Sequence, residues 1–266
     1  MKRLLLILLG ITSIYLFAVY PFKKTHLSLN HLKQERKMIH ENALAQIKKA
    51  FAIPEDIWKS QMELLEQMIK NDELMGVSKS KNNRSGSPLK TIITKILVEF
   101  GINPDKVHIQ ELITQDGMAF AFQSFDSNNR VIHSIEVNPQ WLKQFNVETQ
   151  KAIIRHEVMH LVHYDCIEEH FVKTILHLIG LESEYYDTHP AIIHYRQQRE
   201  MRADLLGVCD CKKSAHALCN HYQEYKKRYD QHDPKQWLTH PSHITRIEQL
   251  AQLMKTMDTL PEVAIA

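Results

Sequence analysis

Residues 146–163 read NVETQKAIIRHEVMHLVH. Asn146 is a good helix N-cap, and Ile154, Val158, Leu161 and Val162 then fall on one helical face, with His156 and His160 on the other. Two imidazoles at i and i+4 lie one turn apart, close enough to reach a single tetrahedral zinc ion. The glutamate between them, Glu157, sits beside the open coordination position and can take a proton from an activated water. A plain amphipathic helix with its polar residues outward is the alternative.

A third ligand decides the class. In one zinc-protease pattern the helix stops at a glycine three residues after the second histidine, and a third histidine follows three residues later. Here those positions hold His163 and Cys166. Without glycine there is no cheap left-handed turn, so the helix is expected to continue, and the third ligand must come from elsewhere. Glu200-Met201-Arg202-Ala203-Asp204 lies in a strongly helical stretch with both acids on one face. Glu200 can complete the metal set, and Asp204 can accept the remaining ring N–H of a ligating histidine. Glu182 and Glu184 are rival ligands by distance along the chain.

Apolar spacing predicts helices over 146–164, 167–181, 191–208, 213–229 and 243–256. Upstream, a helix is expected near 89–100 and strands over 107–112, 118–125 and 131–137. The turn Asp126-Ser127-Asn128-Asn129 joins the last two in a small antiparallel sheet. Residues 27–77 carry two amphipathic helices, one starting at Pro54-Glu55-Asp56.

Composition frames these elements. The 266 residues include 44% hydrophobic and 24% charged side chains with only 7 Gly, which excludes collagen-like, mucin-like and wholly disordered chains. A net charge of +2 leaves no field to hold a polyanion, so no nucleic-acid partner is expected. Histidine is in excess, with 17 copies. Leu4 to Phe22 form an apolar run of roughly 19 residues, long enough to span a bilayer, with no small-residue cleavage site. The expected organisation is a signal anchor over 1–24, an amphipathic helical region over 25–77, a flexible basic linker over 78–88 and a metallopeptidase domain over 89–266. Long domains after such an anchor are translocated, which places the catalytic domain outside the cytoplasm, in the periplasm of a bacterium.

His156-Glu157-x-x-His160, then Glu200-x-x-Ala203-Asp204, then His240-Pro241 followed by Arg246-Ile247, resembles the three-part signature of the gluzincin endopeptidases that include the HtpX-like and CAAX-prenyl proteases. The likeness covers about residues 90–256 and extends to Ala119-Phe120-Ala121 and the strand Val131–Val137. It implies a mainly helical α+β zincin-like fold, one zinc ion held by His156, His160 and Glu200, and Glu157 as the base. Two departures bear on substrate preference: Arg202 stands where relatives often carry an acid, and Asp126–Asn129 replace a glycine-rich turn. The multispanning relatives insert membrane helices, whereas Phe171–Leu181, at about 11 residues, is too short to span. His240 is expected to fold over the zinc, steadying an oxyanion or capping the metal, and Arg246 to tie that loop to a core carboxylate. The plainer reading of His240 is a loop histidine before a helix-starting proline. An extended substrate is expected to pair with an edge strand formed by Val131, His133, Ile135 and Val137.

Of four cysteines, Cys209, Cys211 and Cys219 follow the glutamate-bearing helix. In an oxidising compartment one disulfide from Cys219 to Cys209 or Cys211 is expected, with a second zinc site involving His216 and His221 as the lesser alternative. The leading functional expectation is a membrane-anchored zinc endopeptidase acting on extended or misfolded proteins. Its rivals are a catalytically silent zinc-fold binding or chaperone-like module, docking through helices 27–77, and a zinc hydrolase of non-peptide bonds.

Overall fold

The computed structural model describes residues 29–75, 87–113, 119–229 and 240–259. The expected signal anchor and most of the expected linker lie outside these residues. Among the described residues no helix is long and apolar enough to cross a membrane.

The chain is mainly helical: α1 (Leu29–Ala50), α2 (Glu55–Asn71), α3 (Pro88–Glu99), strands β1 (Val107–Glu111), β2 (Ala119–Phe125) and β3 (Val131–Val137), then α4 (Pro139–Leu142), α5 (Val147–Val162), α6 (Asp165–Leu178), α7 (Ser183–Tyr186), α8 (Pro190–Val208), α9 (Lys212–Tyr229) and α10 (His243–Thr259). Ser87, at the end of the expected linker, caps α3 by accepting the Lys90 N–H.

The β2–β3 hairpin forms as the sequence predicts. Asp126 Oδ1 accepts the N–H groups of Asn128 and Arg130, and Asn129 takes the left-handed conformation that asparagine tolerates. The sheet is not wholly antiparallel, however. Its order is β1-β3-β2, with β1 parallel to β3 and β2 antiparallel to it. This corrects the expectation that β3 is an edge, because a residue alternation reports which face is buried but not which strand lies alongside. His133, Ile135 and Val137 are buried, and Val131 packs partly against the core, so none of the four lines a substrate edge. Among the described residues β2 is an edge strand.

The motif helix α5 runs through the middle of the molecule. Its apolar face, with Ile154, Val158 and Leu161 fully buried, packs with Ile93, Leu97, Ile135 and Leu142. Each such aliphatic side chain contributes about 1.5–3 kcal/mol on burial, against about 1 kcal/mol for the Asn146 cap on the Thr149 N–H. Packing therefore holds α5 in place, and the cap sets where it begins. The apolar faces of α1 and α2 are likewise consumed by the core: Ala43, Leu44 and Ile47 meet Val172, Ile175 and Tyr195, and Leu65 joins the cluster around Ile93.

Candidate metal centre

Helix α8 lies against α5, and one glycine sets how close it comes. A Cβ on Gly207 would stand 3.0 Å from the Arg155 carbonyl oxygen and 3.2 Å from the His156 nitrogen, so a larger residue would push the helices apart beside the first histidine. At that spacing the acids of α8 reach the imidazoles of α5. His156 Nε2 and His160 Nε2 are 3.1 Å apart, His156 Nε2 is 3.4 Å from Glu200 Oε2, and His160 Nε2 is 3.5 Å from Glu200 Oε1. Among the described residues these three are the set of histidine, cysteine and acid side chains that converges as metal ligands would. Glu182 and Glu184 are exposed and take no part.

The donor set suits a tetrahedral ion. Zinc bonds of about 2.0–2.1 Å place tetrahedral ligands about 3.3 Å from one another, close to the three separations found. Glu200 Oε2 is buried without a hydrogen-bond donor, 3.4 Å from His156 Nε2.

Each ring is held from behind. His160 Nδ1 donates to Asp165 Oδ2 at 2.6 Å, and His156 Nδ1 lies 2.9 Å from Asp204 Oδ1, short of good hydrogen-bond alignment. With Nδ1 turned to a carboxylate, Nε2 is the nitrogen left for a metal. Asp204 also accepts from Tyr222 Oη at 2.7 Å and is gripped by Arg246 at 2.6 and 2.7 Å, so Arg246 ties α10 to a core carboxylate as the sequence suggests.

Asp165 escaped the sequence reading, and the cause is local. Helix α5 ends at Val162 rather than continuing, because Tyr164 adopts the left-handed conformation without being glycine. That costs about 1–2 kcal/mol. Offsetting it, the Tyr164 hydroxyl donates to Asp72 at 2.8 Å and its ring meets His133 edge-on. The turn starts α6 at Asp165, whose carboxylate pairs with Arg202 and comes within 3.9 Å of Arg199. Arg202, the departure from the resembled signature, thus points at the carboxylate behind His160.

The electrostatics divide the acids by role. Burial opposes the charge on Glu200 and Asp204, but the histidines around Glu200, and Arg246 with His156 around Asp204, overcome it and hold both well below the usual carboxylate range. His156 resists burial in the opposite sense: Asp204 and Glu200 raise it to about 10. Glu157 shifts the other way from its neighbours. Burial, helped by the negative Glu200, raises it above the ordinary carboxylate value, and its Oε2 accepts the Ala121 N–H of β2 at 2.7 Å. An acid raised toward neutrality is suited to accept and return a proton.

His240 reaches the site as well, with Nε2 at 3.4 Å from Glu200 Oε2 and its side chain about half exposed. The cysteines do not form the expected bridge. All four are free thiols, and burial raises Cys209 to about 12. Cys209 donates to the Leu206 carbonyl, while Cys219 is buried among α9 and α10 packing residues. Comparison with family models, curated proteins and solved structures gives no match.

Proposed function

We propose that the chain is a zinc-dependent endopeptidase of the gluzincin type, anchored in a membrane by its N-terminal apolar segment, with the metal centre outside the cytoplasm. The observation that carries the reading is the triangle of His156, His160 and Glu200 at 3.1, 3.4 and 3.5 Å, with the Glu157 carboxylate 4.0 Å from His156 Nε2. His156, His160 and Glu200 would hold one zinc ion. Bound there, it would supply Lewis-acid polarisation of a scissile carbonyl and bring the pKa of a water down to about 7.

The chain's own residues then move the proton. Glu157 takes it from the attacking water as the C–O bond forms, and returns it to the amine nitrogen as the C–N bond breaks. Nothing is oxidised and no covalent enzyme intermediate is needed. Asp165 and Asp204 keep the two imidazoles oriented, and His240 stands at the rim, where it can donate to a developing oxyanion or close the site at rest. Ala121 places the β2 edge directly beside Glu157, so an extended peptide would lie along β2 rather than β3.

The test is removal and return of metal. A chelator should abolish cleavage of an unfolded protein, and stoichiometric zinc should restore it. Cleavage that survives complete removal of bound metal sinks the proposal.

A further inference from the structure

Among the described residues, helices α5 and α6 pack against one face of the sheet, and the other face is where β2 differs from its neighbours. In register, Ala121 pairs with Ile135, which pairs in turn with Ile109, on the inner face, while Phe122, Ser134 and His108, and Phe120, Glu136 and Gln110, form rows on the outer. Helices α5 and α6 pack against β2, with Gln123 of its inner face donating to the Leu161 carbonyl of α5. On the outer face, Phe120 and Phe122 are each 52% exposed, two large apolar rings two residues apart on an edge strand that turns Ala119, Ala121 and Gln123 inward. Exposed phenylalanines on an edge strand invite pairing, and sheets normally avoid them by placing charge or proline there.

The residue between them says what they face. The Ala121 N–H bonds the carboxylate of Glu157, so this edge of the strand adjoins the candidate metal centre. The Ala121 carbonyl accepts only a long thiol contact from Cys166, at 3.6 Å. A chain laid along this edge would alternate its side chains: those level with Ala121 toward the metal, those level with Phe120 and Phe122 on the outer face beside the rings.

We propose that Phe120 and Phe122 form a substrate-selecting ledge that favours extended peptides carrying apolar or aromatic side chains on alternate residues. The inference rests on the endopeptidase reading for what becomes of the bound peptide, but not for the binding itself. Apolar side chains two residues apart, at the spacing buried inside folded proteins and exposed when they unfold, define the substrate class. The neighbouring Glu136 carboxylate disfavours acidic residues at the same positions.

The experiment uses the full-length chain, zinc-loaded and carrying Glu157→Gln to prevent turnover, with and without the exposed double substitution Phe120→Thr, Phe122→Thr. Two decapeptides are titrated, one with Leu and Phe on alternate residues and one with Ser and Thr there. With the ledge intact the apolar peptide should bind about tenfold tighter, the effect of covering two half-exposed rings. Without it the preference should fall to about twofold or less, with binding of the polar peptide unchanged. A preference that survives the double substitution, equal weakening of both peptides, or binding of neither overturns the ledge. Cleavage by the chain with Glu157 intact is scored separately: selective binding without cleavage overturns the endopeptidase reading and leaves the ledge standing.

Discussion

Among the described residues, two of the places that pair buried histidine with carboxylate, at His133 and at His156 with His160, differ in what the second ring nitrogen does. At His133 both ring nitrogens are spent, Nε2 on Asp72 at 2.6 Å and Nδ1 on Gln123 at 3.0 Å, with the Tyr164 hydroxyl completing Asp72. At His156 and His160 a carboxylate lies behind each Nδ1, hydrogen-bonded in the case of His160, and Nε2 turns inward to meet its counterpart and Glu200. The residue types are the same, so composition cannot separate a structural clamp from a metal centre. Two imidazole nitrogens converging on a further carboxylate do.

The largest expected difference follows from removing a ligand. Glu200→Ala should weaken zinc binding by more than about 100-fold, beyond what loss of an orienting partner costs, as isothermal titration would show. His133→Ala should leave zinc affinity unchanged and instead lower unfolding free energy, since it strips Asp72 of a buried hydrogen-bond partner. Zinc loss in the second variant would erase the distinction.

The pH dependence of stability should differ in sign between the two. His156 is raised from 6.5 to about 10, so in the metal-free chain it stabilises most below pH 6.5 and progressively less as pH rises toward 10. Asp72 is held below its ordinary 3.8 by His133 and Tyr164 against the cost of burial. Its contribution is present above pH 3.8 and lost as pH falls through the folded value. Zinc displaces the His156 proton, so loading should remove the alkaline loss, and protons should compete for the site as pH falls. Denaturant midpoints across pH, with and without zinc, would show both limbs. An alkaline limb that zinc leaves untouched would contradict the assignment.

Removing an orienting acid should cost less. Asp165→Asn is expected to weaken zinc binding by about 10–100-fold, whereas Asp72→Asn should cost about 1–3 kcal/mol of stability with no change in zinc affinity. Smaller still is the effect of spacing: Gly207→Ala should destabilise by about 1–3 kcal/mol and loosen zinc binding by a few-fold, because the added methyl meets backbone rather than a movable side chain. An unchanged affinity there would mean that α8 can shift without moving Glu200.

What the sequence made legible is what repeats with a period. The i, i+4 spacings of His156 with His160 and of Glu200 with Asp204 bring both pairs to one site, and Arg246 binds a core carboxylate, which the structure identifies as Asp204. Single-residue events were hidden. Tyr164 turns left-handed because Asp72, ninety-two residues earlier, holds its hydroxyl, and only that turn delivers Asp165 to His160. Strand order was hidden too, since alternation along Val131–Val137 looks the same in a central strand and an edge. The three cysteines near one another in sequence face separate partners, which spacing along the chain does not reveal.

The central claim is that Glu157 is the base of a zinc-dependent hydrolysis, and the most direct measurement compares the full-length chain with Glu157→Gln for zinc content and for cleavage of an unfolded protein. One zinc per chain in both, with cleavage in the parent alone, is the predicted result. Equal cleavage by the two proteins, or no zinc in either, would contradict it.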